Sequence, residues 1–370
     1  MAALRAEIYR LLLMPSTSIS RSAMLVALLV ACGAAAYYTK DLKDLQREPA
    51  AAKIERFSYT NTRNSPFRFF SPDSFWNRSL PADAPLDPDS AAIVRAFDKE
   101  ITGRTEINTT QYSVPIYTVP ADLTPVKVTL VDPWRAPGGD ALQTTWDAVP
   151  LPPDAQPAAG TDKQLVVWQP SRNRLWEFWM LRHTPTGWRA AWGGAIRKVS
   201  SNSGSYGPEA WPGATQLWGA SASSLSIAGG LITLEDLERG QINHALAMGI
   251  YNPRAGVYAS PAKRTDGRST EPLSLPEGAH LRLDPNLNLA ALRLPHLTLI
   301  IAEAAQRYGI VIRDTVAGDV VFYAQDPTPT GTEPYTEPNR YYENKSPREL
   351  LASFPWSHLQ LLKMNLHKAS

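Results

Sequence analysis

From Val114 onward, apolar positions alternate with polar ones mostly in short runs of period two, which is the pattern of half-buried strands. Runs rich in β-branched residues at 114–119 and 126–131 are separated by turn residues. Three more, at 164–168, 174–181 and 187–192, follow one another at hairpin spacing. Further strands are predicted at 242–250, 257–259, 280–283, 310–314 and 320–323. Helical periodicity is confined to a few places. Residues 91–97 form a short amphipathic stretch, with Asp87 as N-cap and Pro88 at the first helical position. Thr233 caps a turn that Gly240 stops. Residues 294–308 place Leu297, Ile300, Ile301, Ala304 and Ala305 on one face, with Gly309 ending the helix. Ser346-Pro347-Arg348-Glu349 is a capping box. These signals predict a mainly β fold, an antiparallel β-sandwich or jelly roll with a few peripheral helices.

The N-terminus differs in kind. Arg5, Arg10 and Arg21 precede an apolar run at 22–36 that ends in small residues, the layout of an export signal. Two finer readings stay open. Leu29-Val30-Ala31-Cys32-Gly33 resembles a bacterial lipobox, in which Cys32 is lipidated after cleavage. The alternative is a retained anchor of about 17 residues, the lower limit for a membrane span. The chain thus divides into an export signal or anchor (1–38), a polar tether (39–65) and one β-rich domain (66–370), with an extracytoplasmic location, membrane-anchored or secreted. Cys32 is the only cysteine, so the domain has no disulfide, no thiolate metal site and no cysteine nucleophile.

A formal net charge of +2, with no basic cluster interleaved with aromatics, argues against nucleic acid as a partner. The 32 prolines fit a loop-rich β protein. Seven tryptophans crowd into 168–218, among strands and a Gly/Ser-rich loop at 200–219. Large flat rings with an N–H to satisfy suggest a groove that stacks on sugar rings. Trp179, Trp192, Trp211 and Trp218 are its candidate contacts, with Arg264 for an acidic sugar. The competing expectation is that the indoles are core.

Candidate catalytic groups follow from that reading. Glu177 shares a strand face with Trp179, an environment that raises a carboxyl pKa and suits a general acid. Asp314, at a strand end, or Glu209, in the aromatic loop, is the candidate second carboxylate. Tyr206 or His244 would take the proton in an elimination. Each has a plainer alternative: Glu177 a solvated strand residue paired with Arg174 or Arg189, His244 a hydrogen-bonded core histidine, Asp314 a turn starter. No phosphate loop, zinc-protease helix motif, serine-hydrolase elbow or EF-hand loop occurs, and the six histidines lack ligand spacing. No cofactor or metal is expected. The expected activity is glycosidic-bond cleavage by a hydrolase or lyase on a polysaccharide or envelope glycan, by a monomer. The alternative is a non-catalytic carbohydrate-binding or envelope-structural protein.

One resemblance bears on this. Gly229-Gly230-Leu231-Ile232, then Gly240-Gln241-Ile242-Asn243-His244-Ala245-Leu246, then Tyr308-Gly309 with Asp314 resembles a mostly uncharacterised group of exported bacterial proteins over about 220–325. It implies an exported, carbohydrate-directed protein and supplies no mechanism. Those proteins often read ADNGS where this chain has Arg313-Asp314-Thr315-Val316-Ala317, so only the Asp matches.

Overall fold

A computed structural model describes residues 68–131, 137–336 and 341–369. The signal or anchor, the tether and Cys32 lie outside them. Among the described residues, no helix is long and apolar enough to cross a membrane.

The period-two runs become strands in several sheets. The largest contains β1 (Thr105–Asn108), β9 (Leu246–Ile250), β11 (His280–Leu283), β12 (Ile310–Thr315), β13 (Val320–Tyr323) and β15 (Leu359–Leu361), in the order β1-β13-β9-β12-β11-β15. A second contains β2 (Val114–Thr118), β4 (Leu165–Gln169), β5 (Arg174–Trp179), β8 (Trp192–Arg197) and β14 (Gln325–Asp326), in the order β14-β2-β4-β5-β8. Smaller sheets join β3 (Val128–Leu130), β6 (Arg182–Thr184) and β7 (Gly187–Ala190), and β10 (Val257–Ala259) with β16 (Leu366–Lys368).

The fold is therefore mainly β, but its sheets are mixed. β1 with β13, β9 with β12, β2 with β4 and β14 with β2 all run parallel. That corrects the all-antiparallel expectation. Of the three runs at hairpin spacing, β4 and β5 pair antiparallel as expected, but 187–192 supplies β7 of a smaller sheet, and the next neighbour of β5 is β8. Parallel partners are far apart in sequence and joined by crossovers, which no local spacing reveals.

Alternation decides what each face of the largest sheet touches. Leu246, Met248, Ile310, Ile312 and Phe322 face one way and pack with Ile93 and Phe97 of α1 (Ser90–Ile101), Ile300 and Ile301 of α4 (His296–Arg307), and Leu350 of α5 (Pro347–Leu351). Ala247, Val311, Val321 and Tyr323 face the other way, into a core shared with Val114, Leu165, Val167 and Phe178 of the second sheet. The remaining helices are α2 (Gly139–Trp146) and α3 (Leu234–Arg239). The capping boxes at Thr233 and Ser346 both form. Asp87 does not cap α1. Its carboxylate accepts from the Asp89 N–H (3.0 Å), and the helix starts after that turn, at Ser90.

The indoles are mostly core. Trp168, Trp176, Trp188, Trp192 and Trp218 are buried, Trp218 completely. Trp179 and Trp211 are half-buried. Helix α2 and the loops around the second sheet supply the carbonyls that indole N–H groups need. Trp176 donates to Thr145 O (3.2 Å), Trp192 to Leu217 O (2.8 Å) and Trp218 to Gly138 O (3.1 Å). Trp192 and Trp218 are thus not groove contacts, because both the ring and its polar edge are satisfied inside. Glycine makes the room. Gly194, opposite Glu177, lies so close to the Tyr206 ring that a Cβ there would sit 2.3 Å from it.

Gly194→Ala is expected to lower stability by about 1–3 kcal/mol through overpacking, read by urea denaturation. Gly318→Ala, whose methyl meets open space, should stay within about 0.5 kcal/mol of the parent.

Candidate functional site

Between Gly219 and Gly230 the chain has neither helix nor strand, yet it is almost wholly buried. Buried irregular backbone must find partners outside regular ladders, and here ionisable side chains supply them. Glu177, fully buried on β5, accepts from Ala220 N–H (2.9 Å), Ile227 N–H (3.0 Å) and Ser226 Oγ (2.7 Å). Arg264 donates to Gly219 O (3.2 Å) and Ser221 O (2.8 Å). Arg313, also fully buried, donates to Ile227 O (2.8 Å) and Gly229 O (3.3 Å), and its guanidinium lies 3.8 Å from the centre of the Tyr323 ring. Asp314 accepts from Ala222 N–H (3.1 Å). Serine hydroxyls complete the set. Ser221 donates to Leu225 O (2.7 Å), and Ser223 to Arg313 O.

These contacts reassign several candidates. Glu177 is neither solvated nor paired with Arg174 or Arg189. It anchors the buried segment, and burial raises its carboxyl pKa against the pull of those donors. Tyr206 is fully buried beside it, its phenol pushed well up by desolvation and by the Glu177 charge. Neither reaches an open surface. The Arg264 guanidinium is committed to the two carbonyls. Glu209 is exposed and lies over Gly207, away from Glu177. Trp211 is packed against Trp176, with Arg174 5.3 Å from its ring centre.

His244 forms a second buried pair. It precedes β9 rather than lying on it. Its Nε2 is 3.1 Å from Asp236 Oδ2 and its Nδ1 is 2.9 Å from Ala245 O. A backbone carbonyl can only accept, and so can an ionised carboxylate. Both ring nitrogens therefore donate, and the ring is held as an imidazolium. Burial alone would lower its pKa, but the Asp236 charge and these bonds hold it above the ordinary value. Asp236 shows the converse: burial raises it, while His244 and Thr233 outweigh that and hold it low. The pair ties α3 to β9, which is the core-histidine alternative with an ionic partner added.

Asp314 remains, and a β-bulge decides where it points. On β12, strict alternation would set Asp314 on the face of Ile310 and Ile312, against the helices. The pairing with β9 slips at Arg313: Ile312 lies opposite Met248, but Asp314 lies opposite Gly249. The extra residue turns Asp314 to the other face, that of Val321 and Tyr323. There it lines a cleft of about 450 Å³, together with Asp162, Gln164, Glu106, Tyr112 and Tyr323. Asp162 precedes β4 and accepts from the Trp179 indole (3.2 Å), so Trp179 lies beside the cleft as a positioning group.

The two aspartates are half-buried and electrostatically coupled. Desolvation pushes Asp314 up to about 7, against Arg313 and the Ala222 N–H, with Asp266 and Asp162 adding to the rise. Desolvation also raises Asp162, over the opposing Trp179 bond. An Asp314 carboxyl so raised can hold a proton near neutrality and pass it to a bound group. Among the described residues, no group of three His, Cys, Asp or Glu is arranged to hold a metal ion.

Asp162, Gln164, Glu106, Tyr112 and Tyr323 were not picked out from sequence. The available signal was the turn Gly160-Thr161-Asp162-Lys163 leading into an apolar strand, where a short acid emerges at a sheet end. No family model, curated protein or solved structure matches the chain.

In an NMR titration His244 should deprotonate above its ordinary value, and at lower pH in Asp236→Asn, where only the Ala245 carbonyl still opposes desolvation. The pair's contribution to stability is full between the ordinary Asp and His values. It fades as pH rises through the His244 pKa or falls through that of Asp236. A His244 midpoint unmoved by Asp236→Asn would contradict the pairing.

Proposed function

We propose that the protein cleaves glycosidic bonds of a polysaccharide in the Asp162–Asp314 cleft, with Asp314 as general acid and Asp162 as the ionised partner. The observation that carries this reading is the Asp314 carboxyl, raised to about 7 beside a second carboxyl in one open cleft. A carboxylic acid still protonated near neutrality can protonate a leaving glycosidic oxygen, while an ionised neighbour stabilises the positive charge that develops on the sugar ring or activates water. Tyr112 supports the sugar as ligand. Its exposed ring lies at the cleft against Gly160, where a Cβ would sit 2.8 Å from the ring. It offers the stacking face that the buried Trp192 and Trp218 do not. Elimination through Tyr206 or His244 has no such support, because both are buried and committed elsewhere.

In this reading the two larger sheets are the layers of a sandwich, with the cleft at one end of the space between them. The segment 1–38 carries the domain across the membrane, and 39–65 holds it at the surface of an envelope or external glycan. A binding protein without chemistry would use the same cleft and leave its ligand intact.

The test is a depolymerisation screen of the full chain against neutral, amino and uronic polysaccharides. Asp314→Asn should lower turnover by about 10²–10⁴-fold with the fold intact. The parent rate should fall as pH rises through about 7, where the acid is lost. Asp162→Asn should remove the acidic limb of the profile. An Asp314→Asn variant as fast as the parent would sink the assignment, and a ligand bound but never cut would favour the binding protein.

A further inference from the structure

The lining of the cleft says which glycan it takes. Asp162, Asp314 and Glu106 face it with no ion-pair partner among the described residues, whereas Asp319 at its edge is bound to Arg348 (2.7 Å). Gln164 adds an independent observation. It is 3 % exposed and lines the cleft, and its buried Oε1 has no hydrogen-bond partner. An orphaned buried acceptor costs free energy unless a ligand donates to it. Among the described residues, no Lys, Arg or His lines the cleft. The cations around it are engaged: Arg104 and Arg348 at the rim are held by the Gly318 carbonyl and Asp319, Arg313 is sealed behind Tyr323, and Arg264 donates to backbone carbonyls. The lining is therefore rich in acceptors and carries negative charge, with one aromatic face at Tyr112.

We infer that the substrate is an amino-sugar polysaccharide with free, protonated amino groups, whose ammonium donates to Gln164 Oε1 and the Asp162 and Glu106 carboxylates while a ring stacks on Tyr112. This rests on the glycan reading above and sharpens its substrate class. An ammonium offers three donors and a charge, answering both the orphaned acceptor and the unpaired acids. An N-acetylated sugar offers one amide N–H and no charge. A uronate would set carboxylate against carboxylate, with no cation in the described lining to relieve it.

The experiment is calorimetric binding to the full chain carrying Asp314→Asn, so that the ligand survives. The probes are glucosamine hexamer, its fully N-acetylated form, oligogalacturonate and spermidine, at low and at moderate salt. The glucosamine hexamer should bind at least about tenfold more tightly than each of the others and weaken as salt rises. Gln164→Leu should lose about tenfold of that affinity. Glu106→Gln, a change at a half-buried position, should weaken it several-fold with an unaltered melting temperature, which separates ligand recognition from folding. Equal or tighter binding of the acetylated or uronic oligomer overturns the inference while leaving the glycan reading standing. Equal binding of spermidine, which has no ring for Tyr112, shows amine capture without sugar recognition and overturns it too. Binding of none of the four overturns the inference and leaves the glycan reading to the depolymerisation screen.

Discussion

The structure depends on solvating a buried, irregular stretch of backbone from within. Residues 219–230 run through the interior with no ladder of their own, so several of their N–H and C=O groups (Ala220, Ala222 and Ile227 N–H; Gly219, Ser221 and Ile227 O) would be orphans without Glu177, Arg264, Arg313 and Asp314. An unmet backbone group in such a place costs about 1–3 kcal/mol, and several unmet at once would exceed a typical margin of stability. The four charges are tolerated inside for the same reason: each meets backbone dipoles, and Arg313 also has the face of Tyr323. The serines at 221, 223, 224 and 226 are all buried, as that task requires.

This constraint separates structural from chemical carboxylates. Glu177 and Asp314 both bond the segment and both have raised pKa values through desolvation. Glu177 is enclosed on every side and holds the chain in place. Asp314 is reached from the cleft, and only there can a proton leave for a ligand. The bulge at Arg313 makes the difference, since it sends the Arg313 side chain into the interior and Asp314 to the open face. The His244–Asp236 pair is a third solution, in which two buried charges satisfy each other and tie α3 to β9.

Local chemistry made much of the fold legible. Capping boxes at Thr233 and Ser346, the apolar face of α4, and strands at β2, β4, β5, β11, β12 and β13 all follow from residue type and period. Parallel pairing could not be read, because β9 and β12 meet only after a crossover through α4. The tryptophans misled because sequence shows that an indole N–H needs a partner but not that Thr145, Leu217 and Gly138 offer one inside. Of the candidate catalytic residues, Asp314 alone lines the cleft. Its neighbours Asp162 and Gln164 sit at the start of another strand, a proximity that arises from sheet geometry. Alternation along β12 would even have pointed Asp314 the wrong way, since a bulge leaves no mark in composition.

The most direct measurement is a carbon-detected NMR titration of the Asp314 carboxyl in the full chain. The account predicts a midpoint near pH 7, falling when Asp162 is replaced by Asn. A midpoint near the ordinary aspartate value of about 4, indifferent to Asp162, would mean that the cleft holds no acid ready for proton transfer.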